Sequence, residues 1–340
     1  MNASLSVRSR DHGLDAIKAL ATLLVIVGHV IQYTNADFDN SIFFRVIYSF
    51  HMPLFMFISG YLIPREVSAG FLASKFKQLV VPFILWGALL IFLNNFSAIK
   101  AGGVDVLFDR IRQVVMHPDN GGLWFLWVLF LNFLVFTLLE GKCRVALSVA
   151  IISALSILQF LDRDFMLFGL GLFRWHYFFF LFGFLAGNYG LLDKIKINIW
   201  IVLAVTVLFL TQWDRTAITS FFGLEIKSNA GALLLALAVK YLCAIGAIVV
   251  ILSLKDRINI RNWWVKILSA ESLGYYATQY IFLLVFTTVL SPNTLNSVLL
   301  YQISVFILTL TCCTLMIVWI GRYSFSRKYL LGKFDKQISA

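Results

Sequence analysis

Residues 14–33 read LDAIKALATLLVIVGHVIQY, and the polar residues inside this apolar run decide how the chain folds. At a rise of about 1.5 Å per residue, the run is long enough to cross a bilayer as one helix. It nevertheless carries Asp15, Lys18 and His29, which a plain membrane anchor avoids. Successive helical residues are about 100° apart. Taking Lys18 as the origin, His29, Thr22 and Asp15 follow within roughly 60° on one side, and Gln32 lies about 40° away on the other. Five polar residues therefore share one arc of roughly 100°, and most of the remaining face is Leu, Ile, Val and Ala. A charged side chain at the bilayer centre costs about 2.5–3.5 kcal/mol on insertion scales, so the stripe is expected to face protein or water. Lys18 alone reads as a snorkelling cation and His29 alone as a core histidine. Their alignment, three helical turns apart, reads as a functional site.

Composition places the rest of the chain in the same setting. The sequence is 60% hydrophobic, 16% aromatic and 13% charged, with a mean hydropathy of +0.87. That is about half the charged fraction of a soluble domain, and it predicts a polytopic membrane protein. The net charge of +11 then reads as topology rather than as a nucleic-acid footprint. Cys143, Cys243, Cys312 and Cys313 sit in apolar runs without C-x-x-C spacing, so neither a disulfide framework nor a metal site is expected. His12, His29, His51, His117 and His176 are too dispersed for a zinc motif, and no metal is expected. No G-x-x-x-x-G-K-[ST] phosphate loop or G-x-S-x-G elbow is present. Arg8 and Arg10 before the first run resemble a signal peptide, but Lys18 interrupts it and no small-residue cleavage site follows.

Apolar runs of spanning length fall at about 14–34, 41–63, 79–97, 122–140, 145–161, 176–192, 197–212, 230–254, 270–290 and 297–321. They predict an all-α bundle of about ten transmembrane helices with both termini on one side. With the N-terminus inside, 19 Lys and Arg lie on inner segments and 8 on outer ones, and Lys240 within a helix completes the 28. This bias makes both termini cytoplasmic. The expectation is one domain over 1–340, embedded over about 14–321, with cytoplasmic tails at 1–13 and 322–340. Within the outer loop 97–121, residues 105–116 are expected as a short interfacial helix.

Two motifs carry chemistry. Asp15, Lys18 and His29 stand in the spacing D-x-x-[RK]-x10-H, and residues 50–62 read FHMPLFMFISGYL. In the second, Pro53 frees a backbone carbonyl, while Ser59 and Gly60 permit close helix packing. The first motif resembles the opening helix of the acyltransferase type 3 family of integral-membrane acyltransferases, which more often has Arg where this chain has Lys18. The second resembles the next helix of its sugar-acetylating branch, including fucose 4-O-acetylase-like proteins. Further patches follow in the family's order: FKQLVVPFILWG (76–87), GLWFLWVLFL (122–131), FFFLFGFLAGN (178–188) and SAESLGYYATQYIFL (269–283). In the last patch, Gln279 stands where the family often has His.

The resemblance implies a bacterial cytoplasmic-membrane O-acyltransferase. It would move an acyl group, acetyl foremost, from acetyl-CoA to a hydroxyl of a cell-surface glycan or its lipid-linked precursor. His29 is the expected base, with Asp15 and Lys18 beside it in the catalytic set. Lys18, Arg65, Lys75 and Lys77 are expected to hold the donor's phosphates, and His51, Trp124 and Gln279 to line the acceptor site. Direct transfer and an acyl-His29 intermediate both remain open. The partners implied are acyl-CoA, the glycan and membrane lipid, with no nucleic acid. The rival class is a transporter or flippase of lipid-linked sugar whose pathway is the polar stripe, although no inverted repeat of broken helices is found.

The charge bias gives a direct test. Single cysteines placed within 35–40 or 292–296 are expected to react with an impermeant thiol reagent added outside whole cells. Cysteines at 142 and 333 are expected not to react, and outside labelling at 142 would mean that the helix count or the orientation is wrong.

Overall fold

The computed structural model describes residues 11–118, 122–141, 143–161, 167–192, 198–215, 220–226, 229–258, 260, 262–291 and 297–334. Helix α1 (His12–Thr34) starts at Asp11, whose carboxylate caps it by accepting the Leu14 N–H at 3.1 Å. Helix α2 (Ile42–Leu62) runs through Pro53. Helix α3 (Ala69–Lys75) passes through one π-helical turn, Phe76–Val80, into α4 (Val81–Met116). Then come α5 (Trp124–Leu138), α6 (Arg144–Leu161), α7 (Leu170–Tyr189) and α8 (Ile199–Leu210). A hairpin of β1 (Ser220–Phe221) and β2 (Leu224–Glu225) precedes α9 (Asn229–Ser253). The chain continues through α10 (Trp263–Ala270), α11 (Ser272–Val289), α12 (Val298–Ile320) and α13 (Ser324–Leu331).

The fold is thus all-α apart from that hairpin. Six helices among the described residues are long and apolar enough to cross a membrane, within 12–34, 42–62, 69–96, 167–189, 231–257 and 298–320. Three features depart from the periodicity. Helix α4 does not stop near 97 but runs on to Met116, because no proline interrupts the chain between Pro82 and Pro118. Its 36 residues span about 54 Å at 1.5 Å each, well beyond a hydrocarbon core of about 30 Å. The run expected over 270–290 is matched by α11, but a separate short helix, α10, precedes it, set off by Glu271 with φ of −108° and ψ of 18°. The hairpin turns on Phe222 and Gly223, both with positive φ, as a two-residue loop between right-twisted strands requires. Residue 142 and the segment 292–296 lie outside the described residues.

One contact sets the spacing of the bundle. Gly183 and Gly187 form a G-x-x-x-G face on α7 that lies against α2. A Cβ on Gly183 would stand 2.0 Å from the Phe57 carbonyl oxygen, and one on Gly187 2.3 Å from that of Tyr61. From the other side, a Cβ on Gly60 would meet the Phe180 carbonyl oxygen at 1.9 Å. Phe57, Phe136, Phe180 and Phe184 fill the space around this seam and are fully buried. Asn188 closes its end, donating to the Ile63 carbonyl at 2.9 Å.

Gly183→Ala is therefore expected to cost about 1–3 kcal/mol through overpacking and to lower the thermal midpoint of the detergent-solubilised protein. Gly87→Ala, where a new Cβ meets nothing within 4 Å, is the control and leaves the midpoint unchanged. Equal midpoints for the two variants would show that α2 and α7 separate freely.

Candidate active site

The polar stripe of α1 faces protein, as its cost in lipid requires. Thr22 donates to the carbonyls of Lys18 at 2.9 Å and of Leu268 at 3.3 Å. Asp15 accepts from Ser269 at 2.9 Å. Lys18 stands among Asp15, Glu271, Lys333 and Lys75, and Glu271 is itself ion-paired with Lys333. One end of the stripe is therefore answered by the break between α10 and α11. At the other end, Gln32 accepts from the Tyr48 hydroxyl at 2.8 Å.

His29 lies between these ends. Its Nε2 is 3.0 Å from the Tyr280 hydroxyl. The Tyr280 and Tyr276 hydroxyls also converge on one carbonyl oxygen, that of Gly122, at 2.8 and 2.7 Å. Gly122 has a φ of +73°, a conformation that favours glycine and that presents this carbonyl to both tyrosines.

Two cavities open along α1. A smaller one, of about 260 Å³, is lined by Lys18 and Lys75 together with Ser59, Phe125, Phe133 and other largely apolar side chains. Lys75 also donates to Gln78 at 3.1 Å and lies 4.9 Å from the Phe133 ring centre. The larger cavity, of about 660 Å³, is lined by His29, His51 and His176, by Trp124, Trp175 and Trp213, and by Gln32, Ser49 and Asn94. Arg215 and Lys240 also face it. Arg215 grips Asp39 through two hydrogen bonds of 2.9 and 3.0 Å, and Lys240 donates to the Arg215 carbonyl at 2.8 Å. Met52 and Tyr276 line both cavities and form the partition between them. His51 and His176 each bond a carbonyl four residues back through Nδ1, Ile47 at 2.8 Å and Leu172 at 2.9 Å. A carbonyl only accepts, so both rings carry the proton on Nδ1 and keep Nε2 as an acceptor.

The site residues expected from sequence are thus partly assembled. His29, His51 and Trp124 share the larger cavity, and Lys18 and Lys75 share the smaller. Asp15 braces α1 against α10. Arg65 and Lys77 line neither cavity. The Arg65 guanidinium bonds the Asn188 carbonyl and lies 4.6 Å from the Tyr189 ring centre, tying α2 to α7, while Lys77 is exposed. Gln279 is fully buried and also lines neither cavity. Tyr276, Tyr280, Met52 and His176 were not singled out from sequence. The two tyrosines could have been found, since they lie in the 269–283 motif on the face that carries Gln279. Among the described residues, no group of three His, Cys, Asp or Glu could hold a metal.

Comparison with known proteins follows this geometry. The family described as Acyltransferase domain matches residues 11–318. Nodulation protein NolL of Sinorhizobium fredii (strain NBRC 101917 / NGR234) is 35% identical over 192 residues, 50% of this chain and 50% of the relative. Nodulation protein NolL of Mesorhizobium japonicum (strain LMG 29417 / CECT 9101 / MAFF 303099) is 36% identical over 159 residues, 44% of this chain and 40% of the relative. The chain thus spans about half the length of these curated relatives or less. No solved structure matches.

Ser59 lines the smaller cavity and Ser49 the larger. In a background without native cysteines, Ser59→Cys is expected to react with a charged thiol reagent from one side of oriented vesicles. Ser49→Cys is expected to react from the opposite side. Modification of both from the same side would mean that the cavities do not open in opposite directions.

Proposed function

This chain belongs to the acyltransferase type 3 family, and on that footing we propose that it transfers an acyl group, acetyl foremost, from cytoplasmic acetyl-CoA to a hydroxyl of a cell-surface glycan or its lipid-linked precursor. One observation carries the reading: two chemically different cavities meet at the Met52–Tyr276 partition, beside His29. The narrow cavity has two lysines and apolar walls, which suit a phosphorylated donor with a slender pantetheine arm. The wide one combines indole rings with histidine, glutamine, serine and asparagine side chains, surfaces able to stack on a sugar ring and bond its hydroxyls.

The charge bias of 19 inner to 8 outer basic residues supports ten crossings with both termini cytoplasmic. In that orientation the lysine cavity faces the cytoplasm, where acyl-CoA is made. In the reaction, His29 takes the proton of the acceptor hydroxyl as its oxygen bonds the thioester carbon. The carbon–sulfur bond breaks, and the proton passes to the departing thiolate. Lys18 and Lys75 hold donor phosphate, and His51 and Trp124 contact the acceptor.

His29→Ala is expected to leave an inserted, monodisperse protein whose release of coenzyme A falls by about 10²–10⁴-fold. Retention of more than about a tenth of wild-type turnover would remove His29 from the chemistry. Lys18→Ala is expected to raise KM for acetyl-CoA by about 10- to 100-fold, the loss of one charge-assisted hydrogen bond. It should leave KM for acetyl-pantetheine, which has no phosphate, unchanged, and Lys18→Arg should be tolerated. An equal rise for both donors would assign Lys18 to structure alone.

A further inference from the structure

Two polar atoms at the centre of the bundle are buried without a hydrogen bond of normal geometry: Nδ1 of His29 and Oε1 of Gln279. They belong to two helices that pack together, α1 and α11, at the level where the His29 ring stands 3.0 Å from the hydroxyl of Tyr280, the residue after Gln279. Gln279 is fully buried and lines neither cavity. Its amide orientation is fixed from behind, because Nε2 donates to the Tyr276 carbonyl at 3.2 Å. The reversed amide would set Oε1 against that carbonyl, acceptor against acceptor. The pinned orientation leaves Oε1 for the imidazole, and only a ring nitrogen that carries a proton can bond it.

We propose that Gln279 is a positioning residue for acyl transfer: its Oε1 accepts the Nδ1 proton of His29, holding the imidazole in the tautomer whose bare Nε2 meets the acceptor hydroxyl. The proposal rests on His29 being the base. The Val25 carbonyl one turn back also approaches the ring, and it and the unpartnered Oε1 of Gln279 are acceptors. Neither tolerates a bare Nδ1. The opposite nitrogen, Nε2, already sits 3.0 Å from a hydroxyl, that of Tyr280. Tyr280 can release His29 to a substrate hydroxyl because the Gly122 carbonyl, 2.8 Å away, is a second acceptor for its one proton. The role parallels that of the group behind the histidine of a catalytic triad, which fixes tautomer and ring orientation without reacting itself. The competing account is that the backbone alone sets the tautomer, as it does for His51 and His176 through Ile47 and Leu172.

Gln279→Met and Gln279→Glu separate these accounts in the full-length protein, assayed for coenzyme A release with acetyl-CoA and acceptor. Met matches the length of Gln but offers no oxygen, whereas Glu keeps an acceptor at the same reach. Gln279→Met is expected to lower kcat by about 10- to 100-fold, the scale seen when a metal-bound histidine loses the partner that orients it. KM for both substrates should stay unchanged, and Gln279→Glu should retain most of the turnover. Wild-type kcat in Gln279→Met would overturn the proposal and give the tautomer to the Val25 carbonyl. Equal losses in both variants, or a rise in either KM, would also overturn it, as a packing effect. His29→Ala in parallel keeps the two readings apart. If it retains turnover, the base assignment itself fails, whereas a dead His29→Ala beside an active Gln279→Met removes only Gln279.

Discussion

The structure depends on one constraint: a helix that carries Asp15, Lys18, Thr22, His29 and Gln32 on one face cannot show that face to lipid. Each of these groups must find a partner inside the bundle, and the partners come from α10, α11 and α2. Ser269 and the Leu268 carbonyl meet Asp15 and Thr22, Tyr280 meets His29, and Tyr48 meets Gln32. The first two partners lie at the C-terminal end of α10, where the chain turns at Glu271 before α11 begins. A continuous helix would have satisfied its own carbonyls and turned none of them toward α1. The break also brings Glu271 and Lys333 into the field of Lys18. The charged end of the stripe is thereby held in a mixed cluster rather than left as a lone buried charge.

A second constraint sets the width of the site. Glycines on both sides of the α2–α7 seam bring two backbones into contact, and the same two helices carry His51 and His176 to the wall of the larger cavity. Both histidines line that cavity, each fixed by a carbonyl on its own helix. A bulkier seam would push the helices apart along their length and turn a shaped cavity into a loose one. Arg65 serves the same end. Expected as a phosphate ligand, it lies outside both cavities, its guanidinium bonding the Asn188 carbonyl on α7 and its own carbonyl accepting from Arg144 on α6.

The chemistry that the site can support follows from these two constraints together. One cavity has lysines and apolar walls and the other indoles and polar side chains, two surfaces of different chemistry on the two sides of one partition. Only a reactive carbonyl and one hydroxyl need to meet at the Met52–Tyr276 partition. A conducting pathway for a whole lipid-linked sugar would need that partition to open much wider than two side chains allow. The convergence of two tyrosine hydroxyls on one carbonyl beside His29 fits the same economy, since it holds Tyr276 and Tyr280 at the point where the cavities meet.

Much was legible in the sequence because hydropathy and helical periodicity are local. A run of twenty apolar residues must enter the membrane wherever it is placed, and five polar residues on one arc must face inward whatever they meet. The membrane class, the inward stripe, the central place of His29 and the family were all available from Leu14 onward, and Gly60 announced a close helix contact. Other features belonged to the tertiary structure alone. Lys18 and Lys75 reach a cavity whereas Arg65 and Lys77 do not, although all four are basic and three lie within one short connection. Gln279, expected against substrate, is fully buried and lines neither cavity, and His176 joins His51 across a gap of 125 positions. These assignments depend on which surfaces of distant helices meet. That is settled by side-chain packing and by the pairing of buried polar groups across the bundle, neither of which is written in the periodicity of any single segment.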